Sequence, residues 1–81
     1  MRLPRDLSGR DLARALRRYG YALTRETGSH MRLTTQQGGE HHLTIPDHGN
    51  LRIGTLASIV SEVAAHLHID RTVLASALFD S

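Results

Sequence analysis

The chain has 81 residues, 40% of them apolar, with a formal net charge of +2 and a pI of about 9.9. That length allows one small domain, residues 1–81, and leaves too few residues for a second core. The absence of Cys excludes disulfides, thiolate metal sites and thiol catalysis. No apolar run reaches the roughly 20 residues of a membrane span. The N-terminal stretch Met1-Arg2-Leu3-Pro4-Arg5-Asp6 lacks the apolar segment of a signal peptide, so no membrane association is expected and the expected compartment is the cytoplasm. Only Tyr19, Tyr21 and Phe79 are aromatic, which leaves little surface for base stacking. All ten basic residues are Arg. Arg grips phosphate through a planar fork that stays ionised; the same composition also serves plain surface solubility.

In chain order, the first periodic segment follows Ser8. Leu12, Ala15, Leu16 and Tyr19 recur at helical spacing. Ser8 suits an N-cap, Asp11 stands where a capping-box acid belongs, and Leu7 and Leu12 occupy the staple positions. Gly20 supplies a left-handed exit, so the spacing predicts a helix over 9–19 with Arg10, Arg14, Arg17 and Arg18 on its wet side. Tyr21 to Glu26 reads as a strand and Thr27-Gly28-Ser29 as a turn. His30 to Thr35 alternates cleanly, Met31 and Leu33 pointing one way and His30, Arg32 and Thr34 the other. Gln36 to Glu40 reads as a hairpin loop, and His41 to Ile45 as the returning strand.

Pro46 to Gly54 reads as a loop, because Pro cannot continue a central strand. Thr55 is the expected cap of a long helix, in which Leu56, Ile59, Val60, Val63, Ala64 and Leu67 keep a stripe at 3.6-residue spacing. A last helix is expected from Asp70, with Val73, Leu74, Ala77 and Leu78 inward. The order α-β-β-β-α plus a short C-terminal helix predicts an α+β two-layer domain, helices on one face of an antiparallel sheet. His30, Arg32, His42 and Thr44 then share the open face.

That placement singles out His30. Imidazole is the residue type that exchanges protons near neutral pH. Arg32 lies two residues on, about 6.5–7 Å along the strand and on the same side. Together they supply what RNA cleavage by the ribose 2′-hydroxyl needs, namely proton transfer and positive charge on the phosphoryl oxygens. No metal is required by that chemistry, and no cofactor is expected. The remaining His residues suggest no metal site: His41 and His42 point to opposite faces, and His66 and His68 sit at a helix end. No phosphate-cradling Gly loop follows a strand. Ser29 and His30, as strand neighbours, do not make a serine triad.

Three sequence elements resemble a known family. Ser8-Gly9-Arg10-Asp11-Leu12 opens the first helix. Gly28-Ser29-His30 follows the first strand, within Arg25-Glu26-Thr27-Gly28-Ser29-His30. Ile45-Pro46-Asp47-His48-Gly49-Asn50 leads on to Gly54-Thr55-Leu56-Ala57-Ser58-Ile59. In this order and at these separations they resemble the HicA (YcfA-like) toxins of bacterial type II toxin–antitoxin systems, over roughly residues 7–67. The resemblance implies a double-stranded-RNA-binding-like α-β-β-β-α fold and an mRNA interferase, an endoribonuclease that cuts mRNA and arrests growth. It also implies a catalytic role for His30 and a HicB-like antitoxin that masks the site. The chain departs from many relatives in carrying Met31 after the motif and Arg in place of Lys.

The expected site is therefore His30 as catalyst, with Arg32, Ser29, Arg25 and Arg52 as RNA contacts and the first-helix arginines in reserve. His48 and Asn50 belong to the family pattern, and good turn chemistry accounts for them better than catalysis. Two other readings stay open on sequence alone: a non-catalytic RNA-binding module of the same fold, and a domain that binds only protein.

Overall fold

Ser8 takes extended backbone, and its hydroxyl accepts from the Asp11 amide while the Asp11 carboxylate accepts from the Ser8 amide. This reciprocal cap starts α1 (Gly9–Ala15). The structure is a computed structural model that describes residues 2–80. After α1 come β1 (Ala22–Thr27), β2 (His30–Thr35), β3 (His41–Pro46), α2 (Ile53–Leu67) and α3 (Arg71–Phe79). The α helix expected over 9–19 tightens after Ala15 into a 3-10 turn, Leu16–Tyr19, as helix ends often do. Gly20 follows at φ 82°. Tyr21, expected to open the first strand, instead precedes it and is 1% exposed in the core.

The strands form one antiparallel sheet in the order β1-β2-β3. Met31, Leu33, Leu43 and Ile45 are buried beneath the helices, joined there by Leu12, Leu16, Leu56 and Val63. The opposite face carries His30, Arg32, Thr34, His42 and Thr44. The expected α+β arrangement and sheet faces are thus what is found. Thr35 is the buried polar side chain. It donates to the Tyr19 carbonyl at 2.8 Å and accepts from the Gln37 amide at 3.1 Å, so it carries no unmet bond.

Three further sequence expectations shift. Pro46 ends β3 rather than opening the loop, which an edge strand tolerates. The second helix starts at Ile53 with Arg52 as its N-cap, not Thr55, because Leu51 is buried and its amide is held by the Leu7 carbonyl at 2.8 Å. The Leu56 amide then bonds the Arg52 carbonyl, and Thr55 lies inside the first turn. Asp70 caps α3 through the amides of Thr72 and Val73. In α3, Leu74 and Ala75 are buried, while Val73 is 60% exposed instead of facing inward. No helix among the described residues is long and apolar enough to cross a membrane.

Candidate active site

The segments that carry the sequence motifs meet at one corner of the fold. Gly9 lies so close to the end of β3 that a Cβ there would stand 2.0 Å from the Pro46 carbonyl oxygen. Only Gly permits that approach. The Gly9 amide donates to the His48 carbonyl at 2.9 Å, and the Asp47 amide donates to the Ser29 carbonyl at 2.9 Å. Arg10 bridges Glu26 of β1 at 2.5 Å and Asp47 at 2.9 Å. Asp47, through its hydrogen bond and charge, and then Glu26 raise the Arg10 pKa above its ordinary value. The helix start, the loop after β3 and the β1–β2 turn are thereby tied together. His48 takes part through its backbone carbonyl, the loop role the sequence favours for it.

The turn so fixed is Gly28–Ser29, and His30 follows as the first residue of β2. Its side chain is exposed on the open face. The Ser29 hydroxyl lies 3.0 Å from His30 Nδ1, and Nε2 has no partner among the described residues. When Nδ1–H donates to Ser29, the Nε2 lone pair is left to take a proton. A Cβ at Gly28 would meet nothing within 4 Å, so the turn does not crowd the ring.

A bulge brings the arginines to the same place. Leu23 pairs with Leu33 and Arg25 with Arg32, so Thr24 is an extra residue in β1. Its hydroxyl bonds the Arg32 carbonyl at 3.3 Å and meets the Thr34 hydroxyl at 3.0 Å. Strict alternation would keep Leu23 and Arg25 on one face. The bulge lets Leu23 stay with the core face while Arg25 crosses to the open one, with Thr27 opposite His30. Arg25, Thr27, His30, Met31, Arg32 and Thr44 line a hollow of about 210 Å³. Among the described residues neither Arg25 nor Arg32 forms an ion pair.

The other arginines lie elsewhere. Arg52 lines neither hollow beside His30. Arg10 is committed to its two carboxylates, Arg14 pairs with Asp11 at 3.3 Å, and Arg18 donates to the Ala77 carbonyl. Thr27 is a neighbour of His30 that sequence reasoning missed and the pairing register identifies, while Thr44 lies on the open face beside it as the alternation predicts.

His41 and His66 build structure. Burial and the charge of Glu62 push the Tyr21 phenol up to about 12, so it keeps its proton and donates to His41 Nδ1 at 2.8 Å. His41 Nε2 then donates to Glu62 at 3.1 Å. The His41 ring stacks on His66 at 4.4 Å, and His66 Nε2 bonds the carbonyls of Gln37 and Gly39. This network fastens the β2–β3 loop to α2. His42, on the open face, meets Thr34 at 2.8 Å and Glu40 at 3.0 Å. No group of three or more His, Asp or Glu side chains placed to hold a metal ion occurs among the described residues.

A family model described as the HicA toxin of bacterial toxin-antitoxin matches residues 9–65, from the start of α1 to near the end of α2. No curated protein and no solved structure matches the chain.

Proposed function

Because the chain belongs to the HicA toxin family, the toxins of bacterial toxin–antitoxin systems, we propose that it is an endoribonuclease that cuts mRNA in the cytoplasm. One observation carries this reading: an exposed imidazole with a free Nε2 shares one hollow with two arginines that lack carboxylate partners. His30 is the catalytic residue. Arg32 and Arg25 hold the scissile phosphate.

In the reaction His30 Nε2 takes the proton of the ribose 2′-hydroxyl. The 2′-oxygen attacks phosphorus, the bond from phosphorus to the 5′-oxygen breaks, and that oxygen takes a proton from solvent water as it leaves, while the His30 imidazolium returns its proton to solvent afterwards. The products are a 2′,3′-cyclic phosphate and a 5′-hydroxyl end. The two guanidinium groups offset the charge that builds on the phosphoryl oxygens. Positioned proton transfer contributes about 10²–10⁴-fold. No step of this route uses a metal ion. Ser29 orients the ring through Nδ1 and so acts by positioning.

A HicB-like antitoxin is the proposed partner, covering the open face of the sheet. An acidic surface on that partner complements Arg25 and Arg32 and speeds association. A complex in which His30 stays accessible to solvent contradicts this mode of inhibition.

The direct test is RNA cleavage in the presence of a chelator by the wild type, His30→Ala and His30→Gln. The wild type cuts, and both variants leave RNA whole while keeping the wild-type melting profile, since the side chain is exposed. Full cleavage by either variant overturns the assignment. RNA bound but uncut by the wild type makes the protein a binding module instead.

A further inference from the structure

His30 borders a second groove, on the side away from the arginines. It holds about 460 Å³ and is lined by His30, Thr44 and Pro46 of the sheet and by Thr55, Ser58 and Glu62 of α2. α2 runs beside the free edge of β3, which brings one flank of it round to the open face. The two hollows differ in chemistry. The first carries two cations; the second carries no Arg and has a carboxylate with three hydroxyls. A phosphate is repelled by Glu62, so the RNA backbone belongs in the first hollow.

Glu62 is held from inside the protein. Its Oε2 accepts from His41 Nε2, which is fixed in turn by the buried Tyr21. Oε1 has no partner among the described residues, and the side chain is 53% exposed. An anchored carboxylate with one free oxygen accepts N–H donors. Among the groups next to a scissile phosphate, the donors that suit it are the exocyclic amines of cytosine, adenine and guanine. Uracil offers only its ring N3–H, flanked by two carbonyl oxygens that repel a carboxylate, and presents O4 where cytosine carries its amine. The Pro46 ring and the His30 imidazole provide flat surfaces for a base in a protein short of aromatic residues.

We infer that this groove holds the base beside the scissile phosphate and selects bases bearing an exocyclic amino group, with Glu62 as acceptor. The inference builds on the nuclease reading and adds to it a base preference and the residues that set it.

The test is binding of wild-type protein to fluorescent oligo(dC) and oligo(dU), which lack the 2′-hydroxyl and are not cut. Their bases differ at ring position 4, where cytosine carries the amine and uracil an oxygen. Oligo(dC) is expected to bind about tenfold more tightly. In Glu62→Gln the two affinities converge, because an amide also donates to the uracil oxygen. Ser58→Leu, a helix-compatible change that fills the groove, weakens oligo(dC) to the level of oligo(dU) and leaves the Glu62–His41 contact untouched. Equal affinities in the wild type, or a preference that survives both substitutions, overturns the inference. The nuclease reading is judged separately: wild-type protein that leaves ribo-oligonucleotides whole overturns that reading, while the base preference is still decided by these binding data.

Discussion

Arg25 and Arg32 stand directly opposite each other across β1 and β2, and neither has a carboxylate partner among the described residues. Like charges in that relation destabilise a sheet, and opposite charges would be the stabilising choice. The extra residue at Thr24 creates the confrontation by moving Arg25 onto the open face. An anion between the two guanidinium groups removes the repulsion, so the pair favours an anion-bound state over the free one.

Arg32→Gln should therefore separate stability from function. Loss of the repulsion is expected to stabilise the free protein by about 0.2–1 kcal/mol, read by thermal or denaturant unfolding. RNA affinity should fall, and the slope of log affinity against log salt should shrink by about one unit. Cleavage falls with it. A variant that is less stable than the wild type and keeps the full salt slope shows that Arg32 serves the fold and not the phosphate.

Gly9→Ala reverses the usual helix rule. Within a helix Ala is worth about 0.5–1 kcal/mol over Gly. Here the new Cβ would stand 2.0 Å from the Pro46 oxygen and 3.3 Å from Ile45 Cγ2, so backbone must move. The expected result is a loss of about 1–3 kcal/mol on unfolding. Pro46 is the cross-strand neighbour of His30, so cleavage should drop as well, at temperatures where the variant is fully folded. Gly49→Ala is the matched control, because a Cβ there meets nothing within 4 Å, and its effect should stay within about 0.5 kcal/mol.

These two substitutions also mark what the sequence discloses. The cap at Ser8, the alternation of β2 and the stripe of α2 are local patterns, and each produced its element. The open-face position of His30 and Arg32 follows from that alternation. The bulge at Thr24 left no such trace: nothing within β1 itself demands an extra residue, and only pairing with β2 reveals it. Arg25 thus reached the site by a route that periodicity does not describe. Arg10 and Arg52 show the converse. Both are exposed arginines in or near the family motifs, yet Arg10 is spent on Glu26 and Asp47, and Arg52 caps α2 away from the His30 hollows. Composition discloses neither that a guanidinium has carboxylate partners, as Arg10 does, nor that it lies outside the hollows, as Arg52 does.

Tyr21→Phe should alter the alkaline limit of stability. The phenol is held to about 12 in the folded protein, against about 10 in an unfolded chain. Its contribution is complete below pH 10, where both states keep the proton. It is lost as pH rises from 10 to 12, because the unfolded chain releases its proton first. At neutral pH the variant is expected to lose about 1 kcal/mol, for the missing bond to His41. As pH rises through that window the gap between wild type and variant should close and then reverse, because two units of raised pKa are worth more than that one bond. Parallel curves across pH 10–12 place the hydroxyl outside the buried network.

Ser29→Ala distinguishes the two roles open to that hydroxyl. The sequence made Ser29 an RNA contact, and its Oγ lies 3.0 Å from His30 Nδ1. If it orients the ring, removing it lowers kcat while KM holds, since the phosphate contacts are intact. The expected drop is about 3- to 10-fold, the worth of one modest hydrogen bond of about 0.5–1.5 kcal/mol. Ser29→Thr, which keeps a hydroxyl at the same atom, should restore most of the rate. A rise in KM with kcat unchanged would return Ser29 to the RNA-binding surface and leave the His30 ring to be oriented by the turn alone.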